Sequence, residues 1–414
     1  MKRLKQLTDF LGLRRSIIGL LGMVVLVGMG EKMGERFLPL YLKALGGTAL
    51  VISLLAALDD LLSALYSFPG GYLSDRIGRK RALLVFNLMA MTGYMIVILI
   101  PTWPAVIIGA VLFLSWTAIS LPATMSLVAK VLPHDKRAMG VTMHSMVRRI
   151  PMALGPIVGG HIIGIWDIGT GMRIAFGAAM LMAVVGLVMQ QRLIEEDTRT
   201  KTGKRPVPEK NAFRALRQMD PGLKNLLVAD ILVRFCERIP YAFVVIWCVE
   251  KIAHSVTEAQ FGYLTAIEMA TAMAIYVPVA WLAGRTRKKP FVVITFGFFT
   301  LFPLALLFCD SFALLVAAFV LRGLKEFGEP TRKALIMDLA PEDKKASTFG
   351  AYYLVRDVIV SLATFGGGFL WLISPSVNFL VAFGFGVLGT LWFALRGRDL
   401  QSPGQEEFTT DSHR

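Results

Sequence analysis

Twelve apolar runs dominate this sequence, each long enough to cross roughly 30 Å of hydrocarbon as a helix. They cover residues 16–42, 48–70, 82–100, 104–130, 138–165, 172–191, 223–249, 258–284, 290–309, 312–338, 345–371 and 376–396. Backbone in lipid has no water to bond to, so it must close its own hydrogen bonds as helices or as a sealed barrel. Barrel strands are shorter and alternate in polarity, so these runs predict helices. Hydrophobic residues make up 55% of the 414, above the roughly 45–50% apolar share of a soluble domain. The expected class is an all-α membrane protein.

The net charge of +15 raises nucleic acid as a partner, and its distribution argues against it. Basic residues crowd one set of loops, at 1–15, 76–81, 130–137, 192–224, 285–289, 344–345 and 396–398. The opposite loops carry little more than Lys43, Arg173 and Lys251. Such asymmetry predicts a multi-pass protein of the cytoplasmic (inner) membrane with both termini cytoplasmic. Attraction to anionic headgroups accounts for the rest of the excess, so the bilayer is the expected partner and nucleic acid is not. Cys236, Cys248 and Cys309 lie in apolar runs at no metal-ligand spacing and read as packing residues. Arg14-Arg15 precedes an apolar run that Glu31 and Lys32 interrupt, which predicts an uncleaved first helix. Leu4, Leu7, Phe10 and Leu11 among basic residues predict a short interfacial helix before it.

The two halves of the chain superimpose in order. Pro122 and Pro133 correspond to Pro330 and Pro341, Arg148 to Arg356, and Gly159-Gly160 to Gly367-Gly368. Lys32, Glu35 and Arg36 correspond to Arg234, Glu237 and Arg238, and Asp59 to Glu268. A six-helix unit keeps both copies in one orientation, so the repeat is parallel. The expected organisation is an interfacial N-terminus (1–15), a first bundle (16–191), a cytoplasmic linker (192–222), a second bundle (223–396) and a cytoplasmic tail (397–414).

Between the second and third runs the chain reads Gly70-Gly71-Tyr72-Leu73-Ser74-Asp75-Arg76-Ile77-Gly78-Arg79-Lys80-Arg81-Ala82-Leu83. Gly71 permits close helix approach and Gly78 a turn with positive φ. Arg76, Arg79 and Lys80 suit the cytoplasmic face. This loop resembles the signature of the major facilitator superfamily at every specified position. The resemblance implies twelve transmembrane helices in two pseudo-symmetric six-helix bundles. It also implies that Asp75 meets the start of the eleventh helix, where a carboxylate complements the helix dipole. In the fifth run, Gly155-Pro156-Ile157-Val158-Gly159-Gly160 is similar to the element carried there by the superfamily's antiporters. Small residues allow close packing and proline bends the helix. The likeness points to the twelve-helix efflux branch, although the fourth run lacks the arginine usual in those antiporters.

Ionisable residues inside membrane segments are tolerated when they pair or face water. One set here is repeated: Lys32, Glu35 and Arg36, with Arg234, Glu237 and Arg238. Their i,i+3 spacing predicts the pairs Lys32–Glu35 and Arg234–Glu237, and Asp230–Arg234 is spaced i,i+4. In the superfamily fold the first and seventh helices line the cavity, so Glu35 and Glu237 read either as substrate or proton sites or as self-paired structural charge. In a second set, the resemblance places the second helix on the eleventh and the fifth on the eighth, which implies two cross-domain gates, Asp59 with Arg356 and Arg148 with Glu268; static pairing within each half is the other reading. A third set has no counterpart in the first half. On a continuous tenth helix, Arg322, Glu326 and Glu329 would share a face with Lys325 beside Glu329. There they read as a substrate or proton site, or as mutually neutralising charge.

The functional expectation is alternating-access secondary transport of a small molecule, with protons as the coupling ion and efflux as the direction. Proton-coupled uptake of an organic anion or nutrient is the rival. Lipid movement and a non-transporting sensor on the same scaffold are further alternatives. The sequence contains no phosphate-binding Gly-x-x-x-x-Gly-Lys-Ser/Thr loop, nucleophile elbow or His-rich metal motif, so neither an enzyme nor a cofactor or metal is expected. A monomer is expected.

Overall fold

The computed structural model describes residues 15–114, 116, 120–121, 124, 137–194, 219–283, 287–340 and 345–398. Among these, no strand occurs, and each of the twelve expected runs carries helix. The helices are α1 (Arg15–Glu35), α2 (Leu38–Ala44), α3 (Ala49–Ile77), α4 (Arg79–Leu99), α5 (Trp103–Phe113), α6 (Arg137–Ile165), α7 (Ile168–Leu193) and α8 (Pro221–Tyr241). A short run, Val244–Ile246, then continues as a π-helical turn at Trp247–Lys251. There follow α9 (Glu258–Ala283), α10 (Lys288–Leu307), α11 (Phe312–Leu324), α12 (Glu329–Asp338), α13 (Lys345–Ile373) and α14 (Pro375–Arg396). Seven of the described helices are long and apolar enough to cross a membrane. The expected interfacial helix, most of the linker and most of the tail lie outside the described residues.

Among the described residues, the first, seventh and tenth runs show breaks. The first breaks after Glu35, and Pro39 opens α2. The seventh breaks after Pro240 and Tyr241. The tenth breaks at 325–328, and Gly328 caps α12 with Pro330 in its first turn. Proline suits a first turn because its missing N–H has no helical partner there. The Gly328 amide donates instead to the Thr295 hydroxyl, and a Cβ at Gly328 would strike the Phe291 carbonyl. Non-helical backbone of this kind is stable in a membrane only where protein or water satisfies it. Each break lies beside charged residues: Glu35 and Arg36, Glu237 and Arg238, Lys325 and Glu326.

The chain forms two compact units, each discontinuous in sequence. The first holds residues 1–204, 242–269 and 310–312, and the second holds 205–241, 270–309 and 313–414. In the first unit α1 crosses α7 through small residues: a Cβ at Gly30 would meet Ala179, and one at Gly22 would meet Met189. Tyr94, Phe113 and Phe176 pack with ring centroids 5.0–5.9 Å apart and tie α4, α5 and α7 together. Beside them lies a closed polar network. Trp116 Nε1 donates to Asn87 Oδ1 (2.8 Å), Asn87 Nδ2 donates to Gln190 Oε1 (2.6 Å), and Gln190 Nε2 donates to the Lys80 carbonyl (2.9 Å). Asp167 caps α7 by accepting from the Thr170 amide (2.8 Å), which holds its carboxyl below the usual carboxylate range.

The second unit is built on α8, α10, α13 and α14. Its core holds Leu223, Leu226, Val233, Phe296, Leu335, Tyr352 and Phe393. Gly386 and Gly389 let α14 approach α8 closely, and Gly367 does the same for α13 at the Ile239 carbonyl. The three cysteines are buried thiols.

Candidate functional site

The second unit contains a chain of alternating charges along α8, α12 and α13. Asp230, 1% exposed, is its deepest acid. It accepts from Arg332, from the Tyr352 hydroxyl (3.0 Å) and from Arg356 (3.3 Å), and Arg234 lies at 3.8 Å. Arg332, also 1% exposed, turns its other nitrogens to Glu329 (2.7 Å). Arg234 reaches Glu237 (2.6 Å) and Glu329 (3.5 Å). Lys325, from the break in the tenth run, donates to Glu237 (2.8 Å). Arg356 also pairs with Asp357 (2.7 Å) and lies 4.2 Å from the Tyr353 ring centroid.

Asp230, Glu237, Glu329 and Asp357 thus face Arg234, Lys325, Arg332 and Arg356, with the half-exposed Lys333 added at Glu329 (3.4 Å). Asp230 and Glu237 are about 10 Å apart along α8. Removing water from so many ions is affordable only because each charge meets its opposite in hydrogen-bonding geometry.

This arrangement differs from a single charged face on an unbroken tenth helix. The break at 325–328 separates Arg322 from Glu329. Arg322, 3% exposed, lies among the rings of Tyr241, Phe302 and Phe319, with centroids at 5.5, 4.9 and 5.7 Å. Lys325 meets Glu237 on α8, and Glu326 lies in the turn. Arg238 sits over the Tyr241 ring at 4.7 Å. The centre of the network is Arg332, which the sequence reading passed over. Its i,i+3 spacing from Glu329 was the available signal. Its partner Asp230, 102 residues away, gave none.

In the first unit, Lys32 lies between Glu31 (3.2 Å) and Glu35. Arg36 and Glu268 approach to 4.0 Å. Lys43 pairs with Glu250 in the π-helical turn. Asp59 lies on α3 of this unit, whereas Arg356 is held in the other by Asp230 and Asp357. A small cleft lies among Gly28, Lys32, Trp116, Ser120, Arg148 and Pro151.

Gly155, Pro156, Gly159 and Gly160 form a contact surface on α6. A Cβ at Gly155 would meet Lys32, one at Gly159 the Met33 carbonyl, and one at Gly160 the Glu258 carbonyl. From the other side, Gly262 on α9 brings its backbone against Pro156. In the signature loop, Gly78 has φ +94° and joins α3 to α4. Lys80 donates to the Gln191 carbonyl (2.8 Å), fastening the loop to the end of α7. Arg76 is exposed and Arg79 half-buried. The packing of Gly71 and the side chain of Asp75, with its expected contact with the eleventh run, lie outside what is described. Among the described residues, no group of three His, Cys, Asp or Glu side chains gathers as a metal site.

Long apolar helices, broken where charges cluster around a buried ionic network, define a multi-pass membrane protein of the transporter type. The chain matches the Major Facilitator Superfamily over residues 20–249 and again over 226–412, and it belongs to that family. It is 22% identical over 366 residues to an uncharacterized MFS-type transporter of Methanocaldococcus jannaschii, covering 85% of this chain and 87% of that one. Among solved structures, it resembles a POT family transporter in complex with 5-aminolevulinic acid. The TM-score is 0.76 at 12% identity, over 92% of this chain and 96% of the other. It also resembles a bacterial homolog of the human lysosomal transporter Spinster in an inward-facing, unoccupied conformation. There the TM-score is 0.66 at 13% identity, over 95% and 99% of the two chains. These structural likenesses concern the fold.

Proposed function

We propose that this membrane transporter couples the movement of a small organic compound to protons by alternating access, with efflux as its direction. Two six-helix halves, 16–191 and 223–396, rock about a site near the bilayer midplane, and both termini face the cytoplasm of an inner membrane. The proposal involves no enzymatic step, and the working unit is a monomer.

The observation that carries the coupling is the sharing of acids between cations. Glu237 lies between Arg234 and Lys325, and Glu329 between Arg332 and Arg234. A protonated carboxyl accepts fewer hydrogen bonds and carries no charge. One proton on Glu237 therefore releases Lys325 or Arg234 for another partner, and its departure restores the contact. That exchange links a proton to a rearrangement of the broken tenth segment. Glu35, Arg36, Arg238, Arg322 and Glu326 belong to the same proposed pathway, Asp59 with Arg356 remains a proposed gate, and Arg148 with Glu268 is the sequence-based gate, replaced below by a ligand-binding role for Arg148. The direction rests on the antiporter-like Gly155-Pro156-Gly159-Gly160 surface. The cleft beside Lys32 and Arg148 supports a second reading, uptake of an organic anion.

An imposed pH gradient should drive flux of a substrate from a panel of organic ions in proteoliposomes, whereas a sensor would move none. Glu326→Gln and Glu329→Gln should each lower the gradient-driven component about tenfold or more, in line with the loss of one charged hydrogen-bonded partner. Unchanged pH dependence in both variants would remove these acids from the coupling.

A further inference from the structure

The cleft in the first unit holds cations and apolar walls, and its hydrogen-bonding groups are unequally committed. Lys32 is shared by Glu31 and Glu35. The Trp116 indole N–H is spent on Asn87 (2.8 Å), so its ring serves as an apolar wall. Thr124, which also lines the cleft, donates its hydroxyl to the Leu121 carbonyl (2.8 Å). Arg148 differs. Among the described residues, its guanidinium makes no ion pair or hydrogen bond within the first unit, although the charge of Glu31 acts on it. A guanidinium presents five N–H donors in a flat fork that matches carboxylate, phosphate or sulfonate oxygens. An Arg left without such oxygens in a membrane segment is costly unless a ligand supplies them.

We propose that Arg148 receives the anionic group of the transported compound, a carboxylate, phosphate or sulfonate, while Trp116 and Pro151 pack against its apolar part. This rests on the transport reading for its biological meaning and narrows the substrate to small organic anions. It gives Arg148 a ligand-binding role in place of a gate with Glu268, whose approach to Arg36 at 4.0 Å fits a separate contact. Soluble anion and lipid headgroup share this chemistry, and a cleft bounded by Trp116 and Ser120, both buried, favours the soluble one.

Calorimetric titration of the full-length protein in nanodiscs tests the site without requiring flux. Benzoate should bind at least tenfold more tightly than neutral benzamide, in phosphatidylcholine and phosphatidylglycerol discs alike. Arg148→Gln should abolish the preference, and Arg148→Lys should keep it with a several-fold loss of affinity. Met152→Trp, which fills the cleft and leaves the arginine in place, should block benzoate and serves if Arg148→Gln does not fold. Equal affinity for benzoate and benzamide, a preference that survives Arg148→Gln or Met152→Trp, or a tenfold loss in phosphatidylglycerol discs (a headgroup occupying the site) would overturn the proposal. Binding without flux in proteoliposomes would sink the transport reading and leave this site standing. Flux of neutral compounds without anion preference would do the reverse.

Discussion

Asp230→Ala should produce the largest loss of stability of any single substitution in the second unit. It removes the one carboxylate shared by Arg332 and Arg356 and leaves Tyr352 without its acceptor. Breaking a buried ion pair by deleting one partner costs about 3–5 kcal/mol, because the survivor stays desolvated and unpaired. For a chain of this size, that corresponds to a fall in apparent Tm of about 3–6 °C. The check is thermal unfolding in detergent at one scan rate, since membrane proteins commonly unfold irreversibly. The double change Asp230→Leu with Arg332→Leu should be milder than the sum of its parts, since the two charges leave together. Strict additivity would mean that the contact contributes little.

Gly159→Val should come next. Its Cβ would fall on the Met33 carbonyl, where the backbones of α1 and α6 touch. Carbonyl and helix backbone cannot give way as a flexible side chain can, so α6 must move off α1. Overpacking of this kind costs about 1–3 kcal/mol. It acts where the two helices cross, and flux should fall at least tenfold even in protein that remains folded. Gly164, five residues along the same helix, faces open space within 4 Å. Gly164→Ala should be neutral or stabilise by up to roughly 1 kcal/mol through helix propensity. Equal damage at both sites would show that the helix needs flexible glycine, and not close approach.

The helices were legible because desolvating backbone imposes long apolar runs. The pairs Lys32–Glu35 and Arg234–Glu237 were legible because helix geometry alone brings residues three apart together, and both form. What hydropathy could not reveal was where a run breaks, since a broken segment is as apolar as an intact one. Gly328 followed by Pro330 was the visible mark of the break that separates Arg322 from Glu329. Contacts across the bundle, such as Lys325 with Glu237 or Arg332 with Asp230, depend on how helices cross, which no local spacing encodes. For the same reason the rings of Tyr241, Phe302 and Phe319 around Arg322 appeared only once α8, α10 and α11 were placed.

Proton coupling of this kind requires the acids of the second unit to carry the ion. The most direct measurement compares, in the same proteoliposomes, pH-gradient-driven flux with substrate exchange at equal pH for wild type and Glu237→Gln. Loss of driven flux with exchange preserved is the predicted result, because the variant still binds and rocks while Lys325 and Arg234 no longer respond to a proton. Driven flux with the wild-type pH dependence in Glu237→Gln would contradict it.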